Sequence, residues 1–375
     1  MRQHAFAVIF SLVTAFSSSA SAQGITVNSD PPLYQVSFVR GQSIPNNDVS
    51  AVIQLPFQCA TDGTVFVGFV DTVQAGSGIQ PPPVFPIPHL VSVSLQGRVE
   101  SFRLEKIPDL YISQEEGYFA SDSEVTFLVT AAKEYKAAKK TYPIAGGKQG
   151  EFTSNAAEKR QYILSFRRDG AYQKYVEIEE PFHVRQLGAF PSGTFLVFGY
   201  DTKDHAPKLA LLKADGTLLE PLQISEADFS QSVTAKDDRA LRPHGFAPQF
   251  VSEGRSILIV QKDSSSPLLE VSEGGAIRHI RLKLPNGAHL QSLIPSDRNL
   301  YLTAAPPGQG RESEGTIYEA RQEDGAMLRR FELSDGREPP MIACVHDQTF
   351  LSLDYGDGKI VPLSGTAQPL RGADK

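Results

Sequence analysis

The sequence lacks several features that mark common classes of protein. Its 375 residues include no Trp, three Met and two Cys, and the net charge is −7. This acidic balance argues against a nucleic-acid-binding protein, because such a protein needs a basic face to neutralise phosphates. The chain also has no P-loop, no H-E-x-x-H, no G-x-S-x-G and no dinucleotide-binding glycine pattern. No standard catalytic motif therefore marks it as an enzyme.

Residues 1–22 are predicted to be a secretory signal peptide. Arg2 and His4 form a short n-region, residues 5–16 are mainly apolar, and residues 20–22 form an A-x-A cleavage site. About twelve apolar residues are too few to span a bilayer, which takes ~20. No later apolar run is longer, so we expect an exported protein, periplasmic or extracellular, that does not span the membrane.

One unit recurs along the rest of the chain: an apolar strand, a tight polar turn and a second apolar strand. Most copies continue into a second hairpin, and three of these hairpins have Asp-Gly at the turn, a strong hairpin signal. Each unit is therefore predicted to be a four-stranded antiparallel meander. Only residues 131–160 have a pattern that allows a helix. The six copies start with the segments 57–70, 117–129, 187–200, 248–260, 292–303 and 342–355.

Six four-stranded units without helices between them predict an all-β fold, a six-bladed β-propeller in a single domain over residues 23–375. The last unit lacks a fourth strand, and residues 33–39 form a spare strand ahead of the first unit. We expect this N-terminal strand to complete the last blade, which closes the ring and removes an exposed sheet edge. The predicted blades are 51–105, 110–180, 183–224, 244–284, 289–334 and 340–364.

This arrangement resembles the six-bladed propellers of the TolB-like and NHL-like kind. The resemblance covers nearly all of the chain after residue 22 and rests on generic strand-turn patterns. The WD-repeat, YWTD, sialidase Asp-box and Trp-docking quinoprotein propellers are excluded, because their motifs require Trp. The resemblance implies a fold and no single function, since propellers include enzymes, binding modules and scaffolds.

The two cysteines occupy the same column of the repeat. Cys59 lies in the inner strand of the first predicted blade and Cys344 in that of the last, and these blades are neighbours if the ring closes. An exported protein meets an oxidising compartment, where a disulfide is allowed. The alternative is a pair of small buried thiols at equivalent core positions, and the sequence leaves both open.

Nearly all of the variation in loop length lies on one face of the predicted propeller. The long segments are 71–88, 131–160, 225–243 and 304–315. Long loops on one face of a rigid scaffold are a common place for binding. The leading hypothesis is therefore a binding or interaction module whose loop-rich face takes a protein or a small-molecule ligand. A structural subunit of an envelope complex is a further alternative.

Five side chains are expected near the mouth of the central channel on that face: His183, Arg185, Arg242, His244 and His289. The two arginines can hold a carboxylate in bidentate fashion. The three histidines can bind a divalent metal with an open position for water. This second reading is a hydrolase or lyase with a metal or polar site at the channel mouth. The alternative is a set of partly exposed histidines at strand ends, so no cofactor is predicted outright.

Overall fold

The fold was analysed in a computed structural model. The predicted signal peptide, 1–22, lies outside the described residues, and so do 76–87, 225–248 and 307–314 of the loop-rich face. The residues that the structure describes contain strands and turns but no α-helix. They are 23–29, 34–35, 47–75, 88–104, 107–144, 148–179, 182–203, 207–224, 249–261, 268–284, 288–296, 298–306, 315–333, 341–347, 349–354 and 359–369.

Two N-terminal strands precede the first complete sheet. They pair with strands from the end of the chain, as described below. The next four strands pair in chain order as an antiparallel meander, sheet I. The two N-terminal strands are β1 (Gln23–Ser29) and β2 (Tyr34–Gln35). Sheet I consists of β3 (Asn47–Cys59), β4 (Val65–Ala75), β5 (Pro88–Val93) and β6 (Val99–Phe102).

Sheet II is a second four-stranded antiparallel sheet, with a hairpin inserted between its second and third strands. The hairpin forms a two-stranded sheet of its own. Sheet II consists of the first two and the last two strands of this series: β7 (Tyr111–Ala120), β8 (Glu124–Ala132), β9 (Ala137–Ile144), β10 (Lys148–Asn155), β11 (Arg160–Arg167) and β12 (Tyr172–Glu177).

Sheets III and IV repeat the four-stranded antiparallel meander without an inserted element. Sheet III consists of β13 (Phe182–Ala189), β14 (Phe195–Asp201), β15 (Pro207–Leu212) and β16 (Leu218–Pro221). Sheet IV consists of β17 (Gln249–Glu253), β18 (Ser256–Val260), β19 (Leu268–Ser272) and β20 (Ile277–Ile280).

Sheet V has nine strands and consists of two halves. In its first half, β21 (His289–Ser296), β22 (Asn299–Ala305), β23 (Thr316–Arg321) and β24 (Met327–Leu333) pair in order. In its second half, β25 (Met341–His346), β26 (Thr349–Asp354) and β27 (Lys359–Pro369) do the same. Strand β1 joins the halves, because it is parallel to β24 and antiparallel to β27. The ninth strand is β2, which pairs with β27.

The prediction of an all-β fold made of four-stranded antiparallel sheets is confirmed. The added strand differs in detail from the expectation. Of the predicted strand 33–39, Tyr34 and Gln35 pair with Ile360 and Lys359 of β27, and the other five residues lie outside the described part of the chain. Most of the described pairing with β27 comes from β1. The reason is the length of β27, which runs to Pro369 and leaves room for a second, earlier segment.

Apolar clusters fill the interfaces between sheets that follow one another in the chain. Between sheets I and II, the Phe102 ring lies 6.2 Å from that of Phe127 and 6.1 Å from that of Phe166. Further clusters join sheet III to sheets II and IV, sheet IV to the first half of sheet V, and the two halves of sheet V. The second half of sheet V packs in turn against sheet I. The arrangement is propeller-like, with buried first strands facing one another.

A disulfide links the first strands of sheet I and of the second half of sheet V. The sulfurs of Cys59 and Cys344 are 2.02 Å apart, and the Cα atoms are separated by 5.0 Å. Strands β3 and β25 also contact each other. Nearby, Nδ1 of His346 lies 2.7 Å from the carbonyl oxygen of Thr61, within hydrogen-bond distance.

Residues 131–160, whose sequence pattern allows a helix and which were predicted as a long loop, contain a β-hairpin instead. Strands β9 and β10 pair along their whole length there, from Ala137 opposite Asn155 to Ile144 opposite Lys148. The Ala and Lys residues favour a helix, but Pro143 is unfavourable inside one. The Asn155 side chain also closes the base of the hairpin, since its Oδ1 accepts a hydrogen bond from the Lys136 amide.

Candidate functional site

The structure describes three of the five residues expected at the channel mouth. His183 and Arg185 lie on β13 and are partly buried, whereas His289 is the first residue of β21 and is exposed. Arg242 and His244 lie outside the described residues. The metal site of His183, His244 and His289 therefore stays a prediction. Among the described residues alone, no group of three His, Cys, Asp or Glu could hold a metal ion.

Two neighbouring first strands each have a β-bulge that adds one charged residue. The pairing of β7 with β8 shifts between Glu115 and Gly117, so that Glu116 is the extra residue. The pairing of β13 with β14 shifts between Val184 and Gln186, so that Arg185 is the extra residue. Strands β7 and β13 contact each other. Because a bulge redirects a side chain, the two bulges bring opposite charges to one place.

A buried glutamine holds the bulge of β13. Gln161 of β11 donates from Nε2 to the Val184 carbonyl oxygen at 2.8 Å, and its Oε1 accepts from the Val184 amide at 2.7 Å. These bonds satisfy backbone groups next to the interruption in the strand ladder. On the other strand, a Cβ atom at Gly199 would collide with the backbone of His183 and Val184. The bulge therefore depends on Gln161 and Gly199.

The Arg185 guanidinium lies above an aromatic ring and beside a carboxylate. Its central carbon is 5.5 Å from the centre of the Tyr200 ring, in cation–π geometry. Nη2 donates to the Tyr200 hydroxyl at 3.4 Å, and Nη1 lies 3.6 Å from Oε2 of Glu116. Nε is buried and has no hydrogen-bond partner among the described residues. The side chain is 19% exposed, so solvent reaches part of it.

The Glu116 carboxylate has other partners. Oε1 accepts a hydrogen bond from the Thr130 hydroxyl at 2.9 Å, and Oε2 accepts one from Nε2 of Gln114 at 3.3 Å. The Glu116 side chain is only 5% exposed. Neutral donors therefore satisfy this buried carboxylate, and its ion pair with Arg185 is long.

Two titratable neighbours are neutral at pH 7. Part of the Glu115 residue reaches solvent, but its carboxyl is surrounded by protein, and this burial raises the pKa of Glu115 to about 8. Burial, together with the positive charge of Arg185, lowers the pKa of His183 to about 4. The His183 ring also packs against Tyr200, with ring centres 5.0 Å apart. The site thus combines a charged pair with the neutral His183 ring.

Two first strands whose sheets do not follow one another in the chain, β3 and β17, touch each other. The Gln58 side chain of β3 donates from Nε2 to the carbonyl oxygen of Phe250 on β17, at 2.7 Å. These strands belong to sheets I and IV, and they contact each other directly. At this level two first strands therefore meet directly, while the polar cluster lies between the first strands β7 and β13.

Sequence reasoning identified Arg185 and His183 but missed Glu115, Glu116 and Tyr200. The two adjacent glutamates directly precede the apolar segment that starts at residue 117. Such a pair of carboxyl groups in the middle of a strand, just before its buried end, is a sequence signal that lies outside the repeated segment 117–129.

No protein-family model and no curated protein sequence matches the chain. Among solved structures, it is similar to a protein of unknown function from Bacteroides caccae, with 14% identity and a TM-score of 0.33 over 69% of this chain and 94% of that one. Puromycin hydrolase is similar with 12% identity and a TM-score of 0.32, over 85% of this chain and 63% of that one. YCF48 bound to D1 peptide matches with 9% identity and a TM-score of 0.25, over 68% and 93%. These TM-scores are low, and the similarities support no argument about function.

The described residues contain no helix that is long and apolar enough to cross a membrane. The TolB-like or NHL-like kind of propeller stays a prediction, because no family is shown.

Proposed function

We propose that this protein is an exported six-bladed β-propeller that works as a binding module. Its ligand site is the polar cluster of Glu116, His183, Arg185 and Tyr200, on the side of the molecule from which β13 starts. The observation that supports this proposal best is the pair of bulges, which presents Arg185 to a carboxylate that other residues already satisfy. Among the described residues, Arg185 has only a long ion pair with Glu116 and one hydrogen bond to Tyr200, so its guanidinium is available to a ligand.

The closed six-bladed ring is supported by the packing of the sheets. Each sheet, with the two halves of sheet V counted separately, packs on the next through an apolar cluster, and the last half packs on sheet I. The second half of sheet V is held at two places. The Cys59–Cys344 disulfide links β25 to β3 of sheet I, and strand β1 pairs with β27. The predicted long segments 225–243 and 304–315 of the loop-rich face lie wholly or largely outside the described residues and stay a prediction.

Export is supported by the disulfide and by the predicted signal peptide. A disulfide that persists is typical of an oxidising compartment, such as the periplasm or the extracellular space. The two observations are independent, because one comes from residues 1–22 and the other from Cys59 and Cys344.

The hydrolase or lyase alternative rests on the burial of the Glu115 carboxyl on β7, next to Glu116, which raises its pKa. A carboxyl that stays protonated near neutral pH can act as a general acid. A screen of ester, peptide and glycoside substrates with the wild type and Glu115→Gln tests this alternative. Turnover that is lost in the variant would move it ahead of the binding module.

The proposed function is tested by ligand screening with thermal unfolding. A broad small-molecule collection is screened against the wild type, Arg185→Gln and Glu116→Gln. The matched control is Arg98→Gln, because Arg98 forms a comparable Arg–Glu pair with Glu100 that is exposed and lies on sheet I. We expect hits to stabilise the wild type and the control and to lose their effect in both site variants. Hits that stabilise all four proteins equally would contradict the proposed site.

A further inference from the structure

Most N–H donors of the Arg185 guanidinium have no hydrogen-bond partner among the described residues. An arginine has five N–H groups in a planar fork. Among the described residues, one of them takes part in a hydrogen bond, to the Tyr200 hydroxyl at 3.4 Å. The separation of 3.6 Å from Glu116 exceeds the 2.7–2.9 Å that is typical of a charge-assisted hydrogen bond. The fork is therefore held in place but only weakly used.

The surroundings of Arg185 hold the fork in a fixed plane. The guanidinium lies over the Tyr200 ring, and His183 packs against the same ring. The bulge that sets the position of Arg185 is held in turn by Gln161. A planar donor fork that is already oriented loses little freedom when it binds a planar acceptor.

The charge of the site limits the ligand. Arg185 is the one cation paired with Glu116 in the part of the chain that the structure describes. A second anion can share the guanidinium when it carries a single negative charge, whereas a dianionic phosphate would meet stronger repulsion from Glu116. A carboxylate also matches the fork in shape, with two oxygens for two parallel N–H groups.

We infer that the site binds ligands through a single carboxylate group, held in bidentate fashion by Arg185 with Glu116 and Tyr200 beside it. This inference rests on the proposed function and adds the chemical class of the ligand. Arginine only donates hydrogen bonds, so a bidentate contact needs two acceptor oxygens on the ligand. A neutral amide of the same shape has only one acceptor oxygen and should bind more weakly.

The experiment compares matched probes by calorimetry at constant ionic strength, which keeps charge screening equal. The probes are acetate and acetamide, propionate and propionamide, hippurate and hippuramide, and inorganic phosphate. The proteins are the wild type, Arg185→Gln, Arg185→Lys and the control Arg98→Gln. Thermal unfolding without ligand checks that each variant is folded, and Arg185→Lys keeps the charge if Arg185→Gln does not fold.

We expect at least one carboxylate to bind the wild type and Arg98→Gln about tenfold or more tightly than its amide, as two charge-assisted hydrogen bonds allow. The preference should vanish in Arg185→Gln and be reduced in Arg185→Lys, which has no planar fork. The inference is overturned if acids and amides bind alike, if phosphate binds more tightly than every carboxylate, or if Arg185→Gln keeps the preference.

The outcomes separate this inference from the proposed function. If neutral probes bind the wild type as tightly as carboxylates do and do not bind Arg185→Gln, the proposed binding site stands. Only the inference that the ligand is a carboxylate is then overturned. If no carboxylate or amide binds and the broad ligand screen also finds nothing at this cluster, both proposals fail.

Discussion

Two junctions between first strands differ in how they are built. Where β25 meets β3, a disulfide joins Cys59 to Cys344 and an apolar cluster surrounds it. Where β7 meets β13, the residues that meet are Glu116 and Arg185, and their charged atoms are 3.6 Å apart. The first junction is cross-linked and mainly apolar, whereas the second is polar and loosely paired. The contrast is what we expect if the first junction stabilises the molecule and the second is the proposed binding site.

Removing the disulfide should have the largest effect on stability. In the chain-entropy model, a cross-link between residues 285 apart in sequence is worth about 5 kcal/mol. The double variant Cys59→Ser/Cys344→Ser should lose a large part of this free energy of unfolding, and the β1 pairing should keep the chain folded. Urea denaturation measures the loss, and the wild type under reducing conditions is the control. A loss below about 1 kcal/mol would show that the junction is held by packing alone.

The second prediction concerns the pH dependence of stability near the polar junction. Glu115 has a folded-state pKa of about 8 against an ordinary value of 4.5. The folded state therefore keeps a proton that the unfolded state has lost, and stability falls as the pH rises from 4.5 to 8. His183 acts in the opposite direction, but only between its folded pKa of about 4 and its ordinary 6.5. Above pH 6.5, Glu115 is the group of this pair whose titration still changes stability.

Glu115→Gln should remove that decline. At pH 8 the variant should be more stable than the wild type by at most about 4 kcal/mol, because each pKa unit corresponds to about 1.4 kcal/mol. Urea denaturation at pH 6.5 and at pH 8 measures the difference. Glu134→Gln is the control, since Glu134 is exposed, and it should change stability little at either pH. If the free energy of unfolding changes equally between pH 6.5 and pH 8 in the wild type and in Glu115→Gln, the carboxyl of Glu115 is not buried as described.

The third prediction tests the bulge that sets the position of Arg185. Gly199→Ala places a methyl group against the backbone of His183 and Val184. We expect a loss of about 2 kcal/mol, since backbone must move to relieve such a contact. Gly117→Ala is the matched control next to the bulge of β7, where nothing lies within 4 Å of an added Cβ. If both variants unfold at the same denaturant concentration, the tight backbone approach at Gly199 is not part of the native state.

Local signals in the sequence were enough to predict the antiparallel pairing within the sheets. The Asp-Gly hairpins at 169–170, 215–216 and 324–325 form as predicted, and in each the glycine has a positive φ. In each the Asp carboxylate accepts a hydrogen bond from the amide two residues later. This turn chemistry is local, so it can be read from a few adjacent residues.

The site could be read only in part, because its geometry depends on contacts that are distant in sequence. The bulge at Arg185 depends on Gln161, which lies in another sheet. Glu116 meets Arg185 because two bulges occur on neighbouring strands, and no spacing in the sequence reports a bulge. The hairpin of β9 and β10 was missed for the opposite reason, since its Ala and Lys residues favour a helix and the cross-strand pairing overrides that preference.

The smallest expected change tests the central claim most directly. If Arg185 is held for a ligand and not for the fold, Arg185→Gln should change the free energy of unfolding by less than about 1 kcal/mol, because Thr130 and Gln114 still satisfy Glu116. Urea denaturation of this variant beside the wild type at pH 7 gives the number. A loss of about 3–5 kcal/mol, the usual cost of breaking a buried ion pair, would show instead that Arg185 and Glu116 form a structural pair.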